Sequence, residues 1–453
     1  MSDASTGAMQ QFADGSSTTP VPGLVLLYAE EYVTIPAAWP LLAKNNTIGR
    51  ETDQEIFLPV HAVSRTHCSV LWERDGYTLR DLGSTNGTLV DGRRAFESRL
   101  EHGCELRIGD AILKFVARDA DRLRHYRIDG SLIDLPRRQA SEVTALIGGY
   151  QMDCLAAEIS RIAKTPLSVM VLGESGTGKE VVAKELHRLS ERRSGFCAVN
   201  CAAIPANLLE SELFGYKKGA FSGADRDKPG LIKTAHQGTL LLDEIGDMPG
   251  EAQAKLLRVL QSREVFPLGA TAPEPVDVRV ICATHRDLGR LREQGKFRDD
   301  LFARLNEYQL RLPPLRERKE DIYLLARAFL EAQQRPDLRV SFPFMTGLLH
   351  YDWPHNVREL ESCMKRSVAV AQGTLLEAQH LPPAVLEEMQ HYGSPLAGPA
   401  QVAADGAPSD EALRELLSRH QGNVAAVGRE LGKARMQVHR WLKRYEIDLD
   451  DYR

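Results

Sequence analysis

Gly173-Glu174-Ser175-Gly176-Thr177-Gly178-Lys179-Glu180 is the stretch on which the reading of this 453-residue chain turns. The apolar run Leu167-Ser168-Val169-Met170-Val171-Leu172 precedes it, and Val181-Val182-Ala183-Lys184-Glu185-Leu186, with helical spacing, follows. A buried strand, a glycine loop and a helix in that order form a phosphate cradle. The glycines let backbone N–H groups turn onto a polyphosphate, and the helix N-terminus adds partial positive charge. Lys179 is placed to reach the outer phosphates. The spacing alone could be an ordinary glycine turn; the flanking strand and helix argue against that. One departure stands out: the position after the lysine, usually a Ser or Thr that ligates magnesium, is Glu180.

A second element, Gly238-Thr239-Leu240-Leu241-Leu242-Asp243-Glu244, reads as a buried parallel strand that delivers two acids to the carboxyl edge of a sheet. An acidic pair at a strand end is often only a solvated terminus. Coupled to the loop above, Asp243 becomes a candidate Mg²⁺ ligand, and Glu244 a second acid at the metal that polarises an attacking water. Together the two motifs imply binding and hydrolysis of ATP in a P-loop α/β domain.

Length predicts about three domains. The net charge of −5 leaves nucleic-acid binding to a local patch. Seven scattered cysteines fit reduced core thiols and a cytoplasmic protein, with no paired framework. No apolar run suggests a membrane span, and the N-terminus does not read as a signal peptide.

Residues 1–22, rich in Ser, Thr, Gly and Ala, read as a disordered tail. Residues 23–117 alternate short β-prone runs, such as Cys68–Trp72, Tyr77–Arg80 and Ile112–Val116, with turn pairs, such as Asp75-Gly76 and Asn86-Gly87. That texture predicts a β-sandwich. Taken singly, Arg65 could be a solvated charge and Asn86-Gly87 a plain hairpin turn. In order, Ile48-Gly49-Arg50, Ser64-Arg65-Thr66-His67 and Leu82-Gly83-Ser84-Thr85-Asn86-Gly87-Thr88 resemble the forkhead-associated (FHA) family, which binds phosphothreonine peptides. Arg50 and Arg65 offer guanidinium forks, Ser64 and Thr85 hydroxyls, and Asn86 a hold on a peptide backbone, while His67 braces the loop. Residues 118–140, Arg-rich and broken by Pro136, read as a solvated linker with some helix.

The block 141–385 also holds Gly219-Ala220-Phe221-Ser222-Gly223-Ala224, an aperiodic loop with one aromatic. With Phe297-Arg298-Asp299-Asp300-Leu301-Phe302-Ala303-Arg304-Leu305-Asn306 and Trp353-Pro354-His355-Asn356-Val357-Arg358, it closely resembles the AAA+ domain of bacterial enhancer-binding proteins, activators of sigma-54 RNA polymerase. Their signature loop reads GAFTGA, and they keep Glu where Glu180 stands. The resemblance implies nucleotide contacts along 173–180 and at Thr284, His285 and Arg358. It further implies sigma-54 contact by Gly219–Ala224, Asn200 paired to Glu244 as a nucleotide sensor, and Arg298 and Arg304 as arginine fingers in a homo-oligomeric ring, hexameric by analogy. On position alone each arginine would be a surface ion pair. A helical lid is expected over about 320–383. Ser222 replaces the signature Thr, and His285 stands where Asn is usual.

Residues 386–409 read as a flexible linker. Residues 410–453 predict three short helices: one through Leu413, Leu416 and Leu417; a second over 424–431; a third over 434–445. Between 419 and 444, seven Lys/Arg face one acid, Glu430. This basic patch resembles a Fis-type helix-turn-helix, with Arg435, Gln437, His439, Arg440, Lys443 and Arg444 as candidate DNA contacts and dimers on paired half-sites. A solvated helical tail is the plainer alternative.

The expectation is multidomain: FHA β-sandwich, α/β P-loop AAA+ with a small helical lid, and an all-α helix-turn-helix. The function implied is a sigma-54-dependent activator that uses ATP and Mg²⁺, binds upstream DNA, and takes its input from a phosphothreonine protein or Ser/Thr kinase. Thr18 and Thr19 are candidate phosphosites that would dock on the FHA domain of the same or a neighbouring subunit and bias assembly. The alternative is an ATP-binding, DNA-binding regulator that no longer engages sigma-54; a phosphopeptide adaptor with a decayed ATPase is a third.

Overall fold

In the computed structural model the described residues are 20–133, 143, 145–222, 224–394, 410–420, 422–431, 435–445 and 447–452; for 410–412, 435, 436, 440, 444 and 450 only the backbone is described. Thr18 and Thr19 lie outside them. The chain divides into two compact units, Met1–Ser394 and Pro395–Arg453.

The first unit opens with a sandwich of two sheets. One has six strands, in the order Ala38–Pro40, Gly23–Ala29, Ala111–Val116, Glu105–Ile108, Thr88–Val90 and Arg93–Arg94. The other has five: Ile56–Phe57, Asn45–Gly49, Cys68–Glu73, Gly76–Asp81 and Glu97–Leu100. A free sandwich would show alternating apolar and polar positions on each strand. Gly23–Ala29 and Ala111–Val116 are instead buried at every position, because their outer face is covered by the rest of the unit.

The cover is the helical lid that goes with a five-stranded parallel α/β sheet. The sheet runs Phe196–Asn200, Thr239–Asp243, Arg279–Thr284, Val169–Leu172, Tyr308–Arg311. Its central strands are apolar on both faces, as a sheet covered on both sides requires. The helix Lys179–Leu189 packs Val182, Ala183 and Leu186 against it. The lid comprises Ile322–Ala332, Phe342–His350, Asn356–Val370 and Pro383–Glu388. Lid and sandwich share one apolar core, in which Leu24, Leu26 and Tyr28 join Leu325, Phe342 and Leu348.

Two linker expectations change here. The described part of the segment after the sandwich, residues 118–133, is packed rather than solvated: the short helix Ala120–Leu123 buries Ala120 and Leu123 with Val25, Val116 and Tyr150. Within the segment expected to be flexible from 386, residues 392–394 are laid on the sandwich. Gly393 N–H donates to the Gly92 carbonyl at 2.7 Å, and Arg94 N–H to the Ser394 carbonyl at 2.9 Å.

The second unit has helices Asp410–Arg419, Val424–Glu430 and Arg435–Arg444 around Leu413, Leu417, Val427, Val438, Trp441 and Leu442. Asn423 caps the second helix by accepting from the Ala426 N–H at 3.2 Å.

Candidate nucleotide and recognition sites

The glycine loop takes the shape its sequence demands. Gly176 and Gly178 sit at φ +78° and +107°, where a side chain is disfavoured. Thr177 is tied back by its hydroxyl, which donates to the Glu174 carbonyl at 2.9 Å. The Lys179 ammonium, almost fully buried, donates to the Gly173 and Glu174 carbonyls at 2.9 and 3.2 Å and lies 3.6 Å from Glu244. Glu180 turns outward to pair with Lys184 at 2.8 Å.

The lid reaches this loop through residues whose partners spacing did not reveal. Glu174 accepts a two-pronged bond from Arg316 and a third from the Asn356 amide at 3.1 Å. Asn356 also donates to the Ser175 carbonyl at 3.0 Å and accepts from Leu315 N–H at 2.7 Å. Arg358, on the helix that Asn356 begins, points its guanidinium at the Ser175 hydroxyl, 3.5 Å away.

At the sheet edge the expected Asn200–Glu244 pair is not formed. Asn200 Nδ2 donates to Asp243 Oδ2 at 3.1 Å. Register explains this: Asn200 is the cross-strand partner of Asp243. Glu244 lies one residue beyond its strand, at φ +51°, and is carried toward the neighbouring strand end. There His285 Nδ1 sits 2.8 Å from its carboxylate, with the His285 N–H at 3.3 Å and the Thr284 hydroxyl at 3.4 Å. Burial pushes the Asp243 carboxyl above its ordinary value, and the neighbouring Glu244 charge adds to the rise. Burial works the same way on Glu244 but is outweighed by Lys179 and His285, which hold that carboxyl low. One acid is thus poised as a firm anion beside another of weaker acidity.

The Gly219–Ala224 loop is closed by Gly219 N–H donating to the Ala224 carbonyl at 2.8 Å. Ala220 and Ser222 belong to it; Gly223 lies outside the described residues. Phe221 is 44% exposed and meets Tyr216 edge-on at 4.9 Å, so it is displayed at the surface rather than folded inward. Arg298 and Arg304 are both exposed, at and within the helix Asp299–Leu305. Arg298 grips Asp300 of its own chain at 3.0 and 2.7 Å.

On the sandwich, the candidate phosphopeptide residues gather at one end. Arg50 N–H donates to the Ser64 carbonyl at 3.0 Å, and Ser64 Oγ accepts from Thr85 N–H at 3.1 Å. Asn86 Nδ2 donates to the Ala62 carbonyl at 2.8 Å. Arg50, Arg65 and Thr85 are exposed, Arg65 lying 3.5 Å from Glu51. His67 is fully buried and braces the loop, its Nδ1 accepting from the Ser64 N–H at 3.0 Å. Two backbones approach closely here: a Cβ at Gly49 would lie 1.9 Å from the Arg65 carbonyl oxygen.

In the second unit Lys443 is exposed, and Gln437 and His439 are half-buried. The side chains of Arg435, Arg440 and Arg444 lie outside the described residues. Arg419, counted above in the basic surplus, pairs with Glu430 at 2.8 Å and Glu415 at 3.1 Å.

Fold and site together define an AAA+ domain with its lid, joined to an FHA domain. Residues 147–311 match the sigma-54 interaction domain, 316–396 the AAA+ ATPase lid domain and 46–109 the FHA domain. The chain is 47% identical over 306 residues to UacR of Escherichia coli (strain K12), named as a uric acid sigma-54-dependent transcriptional regulator; the match covers 64% of this chain and 51% of that protein. It is 41% identical over 309 residues to the regulatory protein AtoC of the same organism, covering 66% of each. A crystal structure of NtrX from Brucella abortus in complex with ATP is similar at 32% identity and TM-score 0.51, over 68% of this chain and 72% of that one. The chain belongs to the family of sigma-54-dependent transcriptional regulators. It spans about half to two thirds of the length of these curated relatives. No helix among the described residues is long and apolar enough to cross a membrane.

Proposed function

We propose that this protein is an ATP-driven activator of sigma-54 RNA polymerase. Residues 410–453 bind upstream DNA as a helix-turn-helix, the AAA+ domain assembles as a ring, and the FHA domain receives a threonine-phosphorylated partner. The observation that carries the reading is that one domain holds both a phosphate loop facing Asp243 and Glu244 and a surface loop displaying Phe221.

Lys179 and the loop N–H groups hold the phosphates. Asp243 and Glu244 are hard oxygen donors suited to Mg²⁺, which takes one or two carboxylates and fills its shell with phosphate and water. Among the described residues no group of three or more His, Cys, Asp or Glu is gathered as a protein-only metal cage, in keeping with that mode. The metal would supply charge neutralisation at the phosphates. Glu244, kept anionic by Lys179 and His285, orients the attacking water. Arg298 must leave Asp300 to reach a neighbouring subunit's nucleotide. That exchange is inexpensive, because a fully solvated ion pair contributes little to stability.

The test is transcription in vitro from a supercoiled sigma-54 promoter, with ATPase measured in parallel. Wild type should give ATP-dependent open complexes. Glu244→Gln should bind ATP and lose both hydrolysis and open complexes, whereas Ser222→Ala should keep hydrolysis and lose open complexes. Robust wild-type ATPase without open complexes would establish the alternative, a regulator uncoupled from sigma-54.

A further inference from the structure

The seam between sandwich and lid contains charges where an apolar contact would have sufficed. Glu105, on the FHA strand Glu105–Ile108, and Lys319, just before the lid helix Ile322–Ala332, are 1% and 2% exposed and lie 3.0 Å apart. Around Glu105 are His350 at 3.7 Å and the Tyr392 hydroxyl, donating at 3.4 Å. A second buried pair joins Lys114, on the FHA strand Ala111–Val116, to Glu320, and the same ammonium donates to the Glu317 carbonyl at 3.3 Å. All these lid partners except His350 and Tyr392 lie within residues 317–320.

That short segment is also what grips the phosphate loop. Arg316 forks onto Glu174. Arg318, almost fully buried, donates to the Thr177 carbonyl at 3.4 Å and to the Met152 sulfur at 2.8 Å, and faces Asp321 at 3.6 Å. Side chains at 316 and 318 thus hold the nucleotide loop, while 319 and 320 are held by the FHA domain. These five consecutive residues, two short 3-10 turns joined at Arg318, couple a shift at one set to a shift at the other.

We propose that Glu105 of the FHA domain is a positioning residue for the nucleotide site: with Lys114 it clamps residues 317–320, and through them sets Arg316 and Arg318 on the phosphate loop. The proposal rests on the ATP-binding reading above. The FHA domain is then a structural support of the ATP pocket, and its state is felt at the P-loop without any other messenger.

The experiment uses the full chain, with a fluorescent ATP analogue for affinity and steady-state ATPase for KM and kcat. Glu105→Gln leaves the Lys319 charge buried without its counterion, and breaking one side of a buried pair is the costly change. We expect analogue affinity and KM to weaken about tenfold, with kcat at saturating ATP within about twofold of wild type. The double variant Glu105→Leu/Lys319→Met removes both charges at similar volume and should recover most of the affinity. Wild-type affinity in Glu105→Gln, or a double variant as weak as the single one, would overturn the proposal. If Glu105→Gln does not fold, Lys114→Met cuts the other contact to the same segment; it should weaken affinity about fivefold, and no change would overturn the clamp. Failure of wild type itself to bind the analogue would instead refute the ATP-binding reading.

Discussion

At the residue scale, closeness of approach decides what each position tolerates. A Cβ at Gly176 would lie 2.1 Å from the His355 carbonyl oxygen, and its φ of +78° adds strain for any other residue. Gly176→Ala should therefore push lid and loop apart and weaken ATP-analogue binding by more than about tenfold; unchanged affinity would mean that the two do not touch in solution. Glu105 makes a second prediction. Burial opposes its charge, but Lys319 and His350 outweigh burial and bring its carboxyl from 4.5 down to about 2. A lowered folded value stabilises the fold above pH 4.5, and that stability is lost as pH falls toward 2. The shift corresponds to about 3 kcal/mol. Glu105→Gln should flatten the acid limb of the melting temperature between those pH values, and an unaltered slope would show that Glu105 is not held low. Much at this scale could be read directly: the glycine loop, Lys179 and the Asp243-Glu244 pair are each in sequence context that specifies them. The partner of Glu244 could not. Whether Asn200 meets Asp243 or Glu244 depends on a one-residue difference in register, and register is set by the sheet as a whole.

At the scale of elements, the last carbonyls of the long helix Tyr150–Ala163 draw a donor from outside it, even though Thr165 already gives Ile162 its N–H at 3.0 Å and its hydroxyl at 2.8 Å. They are served from across the sheet by Arg279, the first residue of the strand Arg279–Thr284. Its guanidinium donates to Ala163, to Ile162 at 3.0 Å and to Leu167 at 3.3 Å. Burial, with Arg192 adding to it, brings Arg279 down to about 10. Arg279→Met should remove the guanidinium from the Ala163 and Leu167 carbonyls and cost about 1–3 kcal/mol in denaturant unfolding. A loss under about 0.5 kcal/mol would mean that water replaces the guanidinium. The expected strands Cys68–Trp72, Tyr77–Arg80 and Ile112–Val116 fall within Cys68–Glu73, Gly76–Asp81 and Ala111–Val116. Turn chemistry marks strand ends well. The sequence did carry one unused signal: Leu24-Val25-Leu26-Leu27-Tyr28-Ala29 is apolar without alternation, which a half-exposed sandwich strand does not need. That run announces a covered face, though not what covers it.

For the molecule as a whole, the shared core and the seam predict joint unfolding of sandwich and lid. Trp39, buried in the sandwich, and Trp353, buried in the lid, should report the same denaturant midpoint in variants that keep only one of them. Midpoints separated by more than about 0.5 M would show that the two modules unfold separately. Sequence order alone presents FHA, AAA+ and C-terminal helices as beads on a string, because each has its own motifs. The union of the first two is invisible there, since Glu105 and Lys319 are separated by more than two hundred positions and each reads as an ordinary surface charge.

The two buried ion pairs also bear on portability. Regulators of modular build invite exchange of one input domain for another, and sequence motifs would place the cut between residues 118 and 140. A replacement FHA domain with a perfect phosphopeptide loop but an apolar residue at either seam position would strand Lys319 or Glu320 in a dry interface. The unit of exchange in this protein is accordingly the sandwich together with its lid. A graft that respects this boundary carries its own counterions with it.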